Sequence, residues 1–371
     1  MKTVAFIRAT DIFNDSRATK EIKALIEEGY YVEVLGWNRN GNALEQCSKI
    51  FADVLDSINF SFFNVRAENG IGLKNINKLL GWFKWIKKTL KIRNKENNIF
   101  AVHACDLDTG ISAKKFCKKN KIKLVYDVFD YYIDSHSIPR VLRNFVEKFE
   151  INIINYADVT IICTEERKEQ IQKAKPKKLI IIHNSPELKK VETQETVDYC
   201  YCGAMANKRL IREILEEYSD NEDLKFVFAG YGPHSEKAIN LAETHKNFSF
   251  EGSVPYATVL DLEGQARVLS AIYEPTIRNH RLCAPNKFYE ALALGKPIIV
   301  CRGTGIDKIV EEYDIGRVID YDAIDFYKSL RELIADDNKR KEMGERARKL
   351  YEEKYHWGIM KEILLQAYKD L

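Results

Sequence analysis

The sequence predicts an α/β fold of two Rossmann-like domains, each a parallel sheet flanked by helices, facing across a central cleft. Three observations carry this. Short apolar runs alternate with segments of helical period, in two successive series. A turn-forming break, Asn184-Ser185-Pro186, separates the series. The chain has 371 residues, enough for two domains with cores of their own.

The first series opens with "TVAFIR" (3–8), a short buried strand. "SRATKEIKALIEEG" (16–29) reads as a helix with Ile22, Leu25 and Ile26 on one face, Ser16 as N-cap and Gly29 as its end. "YVEVLGW" (31–37) and "IFAVHAC" (99–105) are strands, "TGISAKKFCKKN" (109–120) is a helix, and "KLVYDVF" (123–129) and "ADVTIICT" (157–164) are strands. "KLIIIHNSPE" (178–187) is a strand leaving the first domain. The expected domains are 1–186 and 187–352, with a C-terminal helix in 353–371 crossing back onto the first.

The second series begins at "VDYCYCG" (197–203). "RLIREILEEYSD" (209–220) is helical, "LKFVFAGYGP" (224–233) is strand then turn, and "SEKAINLAETH" (235–245) is helical. "FSFEG", "ATVLDLEGQ", "VLSAIYEP" and "PNKFYEALALGKPIIV" (285–300) follow. In the last, Pro285 starts a helix and Gly295 stops it before a strand. The tail from 341 onward is helical, with bends expected at Gly344 and Gly358.

Composition narrows the function. The chain is 45% apolar and 30% charged with a net charge of +3, so overall electrostatics do not imply nucleic acid. Eight cysteines show no zinc-site spacing; they read as buried free thiols in a reducing cytosol. The N-terminal apolar run is short and interrupted by Arg8, unlike a secretory signal. No stretch approaches the ~18 apolar residues that span a bilayer. A cytoplasmic protein is expected, with room for contact on the inner face of the plasma membrane. The loop after the first strand, "RATDIFNDSR", lacks G-x-G-x-x-G, and no Walker A motif occurs, which argues against a nicotinamide dehydrogenase or a P-loop enzyme.

The chemistry concentrates in the second series. Lys287 stands in the first turn of its helix, where the macrodipole disfavours a cation. Free N–H groups there already attract anions, so an added lysine makes sense when an anion arrives. Glu290, three residues on, shares that face and suits neutral hydroxyls such as those of a ribose. Gly203 at a strand end, Lys208 and Arg209 before the next helix, and Gly230 and Gly232 in "FAGYGP" are expected on the same wall, the glycines letting a ligand approach backbone. The bland alternative is a solvated lysine paired with Glu290.

With these residues in place, "PNKFYEALALGKPII" resembles the nucleotide-sugar signature of GT-B glycosyltransferases, family 4 in particular. "YCGAMANKRLIREI", "FVFAGYGP" and "GIDKIVEEYDIGRVID" stand in the matching order, and "DSRATKEIKALIEEGYYVEVLGW" fits more loosely. The resemblance implies transfer of a sugar from a nucleotide diphosphate sugar to a saccharide or polyprenyl-linked saccharide, usually with retention and without a metal or other cofactor, in bacterial surface polysaccharide assembly. UDP-sugar is favoured over GDP-sugar. It implies that Lys287 and Arg209, with Lys208, hold the diphosphate, that Glu290 binds the ribose, and that Asn286 joins the donor site. Preorganised cations would stabilise the leaving diphosphate.

The chain departs from the family at Leu282, eight residues before Glu290, where a second glutamate is common. Arg278, His280 and Arg281 are the nearby substitutes. On the acceptor side, His103, Asp106, Asp127 and Asp130 cluster at strand ends. Arg17, a cation in the first turn of its helix, points to an anion or to the facing domain. Residues 74–95 hold seven lysines, one arginine and no acid. Trp82 and Trp85 beside Lys84, Lys88 and Lys91 fit an in-plane membrane helix, or a helix packed on the sheet with a solvated basic face. Two other functions remain open: a nucleotide-sugar epimerase or hydrolase, and a non-catalytic sugar-nucleotide-binding subunit docked on a membrane.

Overall fold

The computed structural model describes residues 1–10, 12–39, 41–66, 76–187 and 194–371. Asp11, Lys74 and Asn75, which figure in the loop and helix readings above, lie outside them. The chain divides into two units, Met1–His183 with Met360–Leu371, and Asn184–Ile359. The division falls three residues before the expected boundary, at the turn that Asn184 begins.

The first unit is a seven-stranded parallel sheet ordered β3-β2-β1-β4-β5-β6-β7. Its strands are β1 (Thr3–Arg8), β2 (Tyr31–Asn38), β3 (Ile58–Asn64), β4 (Ile99–Cys105), β5 (Lys123–Asp127), β6 (Val159–Ile162) and β7 (Leu179–Ile181). The helices are α1 (Ser16–Glu27), α2 (Ala43–Ile50), α3 (Ile76–Asn97), α4 (Leu107–Asn120), α5 (Tyr132–Ser135) and α6 (Arg140–Ile154). β1 lies between β2 and β4, with Val4 opposite Val32 and Ala101. Helices cover both of its faces, so its middle is apolar throughout.

Three local expectations change here. Asp15, not Ser16, caps α1, its carboxylate accepting from the Ala18 N–H at 3.1 Å. α4 starts two residues before Thr109, at Leu107. In α3, Trp82, Ile86 and Leu90 are fully buried in the core, while Lys84, Lys88 and Lys91 are exposed. Trp82 donates its indole N–H to the Asp108 carbonyl at 3.1 Å, and Trp85 stacks on it at 5.3 Å. The tryptophans therefore belong to a helix packed on the sheet. They are not a lipid-facing pair.

The second unit is a six-stranded parallel sheet ordered β10-β9-β8-β11-β12-β13. Its strands are β8 (Val197–Ala204), β9 (Phe226–Tyr231), β10 (Phe248–Phe250), β11 (Ala266–Ala271), β12 (Ile298–Cys301) and β13 (Gly316–Ile319). Its helices are α7 (Ile211–Glu216), α8 (Ser235–Thr244), α9 (Tyr256–Gly264), α10 (Arg278–Arg281), α11 (Asn286–Leu294), α12 (Ile306–Tyr313), α13 (Ala323–Ala335) and α14 (Asp337–Leu350). Tyr199, Tyr218, Phe226, Phe228 and Phe248 form an aromatic core with edge, tilted and stacked contacts near 5 Å.

Gly344 does not bend the tail. It lies inside α14, where a side chain would collide with the Gly295 carbonyl, so it permits close packing of α14 on the end of α11. The irregularity comes later, at a π turn over Tyr351–Tyr355, and Gly358 lies within α15 (Trp357–Lys369). From Met360 onward the chain belongs to the first unit: Tyr368 bonds His103, and Lys361 and Lys369 pair with Glu27 and Glu28. Among the described residues, no helix is long and apolar enough to cross a membrane.

Candidate functional site

The second unit carries the expected donor residues at the C-terminal ends of β8 and β9 and the start of α11, where parallel α/β sheets bind ligands. Pro285 precedes α11 and offers no side-chain cap; the Phe288 N–H donates to the Pro285 carbonyl at 3.0 Å. Lys287 rises from that turn. Its ammonium lies 5.0 Å from the centroid of the Tyr201 ring and against the α-carbon of Gly203. Gly203 has φ of 150°, and a side chain there would occupy the place of the Lys287 Nζ. Among the described residues, Lys287 makes no ion pair within 4.0 Å. Burial works against its charge, but Tyr201, Glu290 and Glu263 outweigh it and raise its pKa. It therefore stands as a cation beside the end of β8.

Arg209 reaches the same tyrosine. Its guanidinium lies 5.1 Å from the Tyr273 ring centroid and beside the Tyr201 phenol. The loop holding it is strained. Lys208 and Leu210, on either side, have φ of 69° and 59°, each costing ~1 kcal/mol or more for a residue with a side chain. Two bonds hold that geometry: Leu210 N–H donates to the Tyr321 hydroxyl at 2.8 Å, and Glu274 N–H to the Lys208 carbonyl at 3.1 Å. Lys208 itself is exposed and pairs with Glu274 at 2.9 Å. It borders a cavity of about 210 Å³ lined also by Asn207, His234 and Tyr321. Asn286 is exposed at the head of α11.

Glu290 is only 3% exposed, so the reading of it as a surface member of the turn is corrected. Below it lies Glu263, a carboxyl that sequence reasoning missed, buried near the end of α9. Burial and the charge of Glu290 push Glu263 well above the usual carboxylate range, and Lys287 opposes the shift. Gly230 and Gly232 are also required by the packing of the chain itself. Side chains there would strike the Gly203 carbonyl and the Met205 backbone, so the chain itself uses their small size. At the family's missing glutamate, Leu282 is buried. His280 packs edge-on to Tyr273 at 5.3 Å and faces the Glu274 carbonyl at 3.2 Å, while Arg281 is exposed.

A scan against family models matches residues 167–350 to the model described as Glycosyl transferases group 1. Over these residues, just under half of its length, the chain is similar to the group 1 glycosyl transferases. An uncharacterised glycosyltransferase of Methanocaldococcus jannaschii is 24% identical over 251 residues, 65% of this chain. The chain spans 59% of that relative's length. Among solved structures, Anabaena HepE in complex with UDP and glucose aligns with TM-score 0.70 and 11% identity, covering 100% of both chains. The UDP-GlcNAc 2-epimerase of Neisseria meningitidis bound to UDP-GlcNAc aligns with TM-score 0.64 and 14% identity, again over 100% of both. The two parallel sheets are those of the GT-B fold. Within the matched residues, Lys287 and Arg209 stand beside Tyr201, and Glu290 lies close to Lys287.

The acceptor-side candidates all fall in the first unit, and most are engaged with one another. Arg17 is buried and pairs with Glu21 at 2.9 Å and Asp127 at 2.5 Å, so its counter-ions lie within its own unit. This corrects the expectation that it waits for an external anion or a facing domain. His103 is fully buried, with Nε2 at 3.4 Å from Asp127 and Nδ1 at 2.9 Å from the Tyr368 hydroxyl. Burial holds its pKa down to about 4, so it is neutral near pH 7. Burial also raises Asp127 to about 6 and Glu21 to about 7. Asp106 pairs with Arg8 and accepts from the Phe129 and Asp130 N–H groups at 2.9 and 3.1 Å. Asp130 is the exposed member, paired with Arg167 at 3.0 Å. Arg8 and Arg17 sandwich the Phe129 ring at 3.9 and 4.4 Å. His103, Cys105 and Asp127 bring metal-type donors within 4.8 Å of one another. Because Arg17 already compensates Asp127, the set reads as an ion-pair network.

Proposed function

We propose that the chain transfers a sugar from a nucleotide diphosphate sugar to a hydroxyl of a saccharide or lipid-linked saccharide. One observation carries the reading: the Lys287 ammonium in the first turn of α11, with no ion pair within 4.0 Å among the described residues, and Arg209 beside the same Tyr201. Two cations and free N–H groups suit a diphosphate. In the reaction the bond between the anomeric carbon and the diphosphate oxygen breaks, and a bond to the acceptor oxygen forms. The acceptor proton leaves with the diphosphate. Negative charge grows on the leaving oxygen, and Lys287 and Arg209 stabilise it there. Glu290 takes the ribose hydroxyls. UDP-sugar is the favoured donor, retention the favoured outcome, and assembly of a bacterial surface polysaccharide the favoured setting.

The test is release of nucleoside diphosphate from UDP-sugars with and without saccharide acceptors. Acceptor-dependent release with a glycosylated product supports the transfer. Epimerised or hydrolysed donor at the same rate without acceptor would assign the site to the chemistry of the structurally similar epimerase. Nucleotide binding without turnover of any donor would leave a binding subunit.

A further inference from the structure

Helix α6 (Arg140–Ile154) exposes its most apolar side chains. Val141, Leu142, Phe145 and Phe149 lie within an arc of about 100° on a helix, and Val141 and Phe145 are 87% and 60% exposed. The opposite face buries Glu150, Ile153 and Ile154. Glu150 is fixed beside the end of β5, accepting from Tyr126 O–H at 3.0 Å and Tyr132 N–H at 3.1 Å. Ten residues precede it in α6, so the first turns project about 15 Å further along the helix. Phe145 and Phe149 touch edge to face at 4.8 Å, which joins them into one patch.

The surroundings are basic. α4 packs between α3 and α6 in one helical layer. From this layer Lys84, Lys88 and Lys91 of α3 and Lys148 of α6 point outward, all exposed. The acids of α6 do not cancel them, because Glu147 pairs with Lys173 at 2.7 Å and Glu150 is buried. Glu96, near the end of α3, pairs with Arg93 at 2.8 Å.

We propose that the α6 stripe and the lysines beside it form a docking face for an anionic lipid bilayer. Hydrocarbon takes up Val141, Leu142, Phe145 and Phe149, and acidic headgroups meet the lysines. A nucleic acid offers no hydrocarbon for the stripe. A second copy related by symmetry would bring two basic layers together. The face is independent of the donor site, and its binding is read without nucleotide.

The experiment is co-sedimentation of the full chain with vesicles of phosphatidylcholine alone and of phosphatidylcholine mixed with phosphatidylglycerol. The wild type is expected to bind the mixed vesicles, and added salt to release it. That salt arm needs no variant. The double variant Val141→Ser/Phe145→Ser should partition at least about tenfold less, since each lost apolar side chain is worth on the order of a factor of ten. Lys84→Glu/Lys88→Glu should also bind less, and circular dichroism should show both variants folded. Wild type that ignores mixed vesicles, or a serine variant that binds like wild type, overturns the proposal. A wild-type dimer that Phe145→Ser makes monomeric, with no vesicle binding, overturns it in favour of a second copy.

Discussion

The ammonium of Lys287 fills the space that a side chain at Gly203 would need. The end of β8 and the first turn of α11 are thereby fitted to each other, and the cation is held in front of the strand end. Gly203→Ala should displace Lys287 and strain a backbone at φ of 150°. Nucleoside diphosphate affinity should fall about tenfold, ~1.4 kcal/mol, with the sheet intact by circular dichroism. Titration calorimetry with UDP checks this. Unchanged affinity would mean that the contact does not position the site.

Arg209 rests on a strained loop held by two hydrogen bonds, one of them from the Leu210 N–H to the Tyr321 hydroxyl. Tyr321→Phe removes that bond without changing shape. It should cost about 1 kcal/mol of stability and lower kcat/KM for a UDP-sugar, although Tyr321 is not expected to touch the diphosphate. Equal kinetics in the variant would separate the strained loop from function.

The Arg17 network predicts a structural effect. Arg17→Ala leaves Glu21 and Asp127 buried without their cation and should destabilise the first unit by ~3–5 kcal/mol. The triple change Arg17→Met/Glu21→Leu/Asp127→Asn should recover much of that loss. Urea unfolding followed by the fluorescence of Trp37 and Trp82, both buried in this unit, reads the result.

Above about pH 6.5, where both buried histidines are neutral in either state, stability of the first unit should fall as pH rises. Burial raises Glu150 to about 8 and Glu21 to about 7. A carboxyl whose folded pKa is raised contributes stability fully present below the unfolded value near 4.5, and that stability is lost as pH climbs through the folded value. Between pH 5 and 8, Glu150 alone contributes a slope of up to about 1.4 kcal/mol per pH unit. Glu150→Gln keeps the shape and should flatten the curve by that share. His103 and His183, both held down to about 4, act at the acid end, where stability falls as pH drops below about 6.5. Thermal unfolding across pH 4 to 8 measures both limbs.

Much of the fold was legible because central parallel strands are buried on both faces and read as unbroken apolar runs, as in β1, β4 and β12. β3, at the sheet edge, was not: "INFSFFN" is only half-buried and carries no such run. Lys287 was legible because a cation in a helix's first turn contradicts the dipole. Glu263 was not, since an acid in "VLDLEGQ" looks like a surface residue until tertiary packing buries it beside Glu290. Trp82 left two readings open because a tryptophan amid lysines resembles an interfacial anchor as much as a packed core residue. Its partner, the Asp108 carbonyl, comes from a different helix. Gly344 looked like a bend, but its smallness serves contact with Gly295, which is remote in sequence.

The most direct test of the account is a thermal shift of wild type and Lys287→Ala against UDP and UDP-sugars. A ligand that binds only the folded state at a hundred times its Kd adds about 2.7 kcal/mol to apparent stability. The account predicts a clear rise in wild-type Tm with UDP, abolished in Lys287→Ala, while the variant's own Tm without ligand stays close to wild type. No rise in wild type with any nucleoside diphosphate, or an equal rise in the variant, contradicts it.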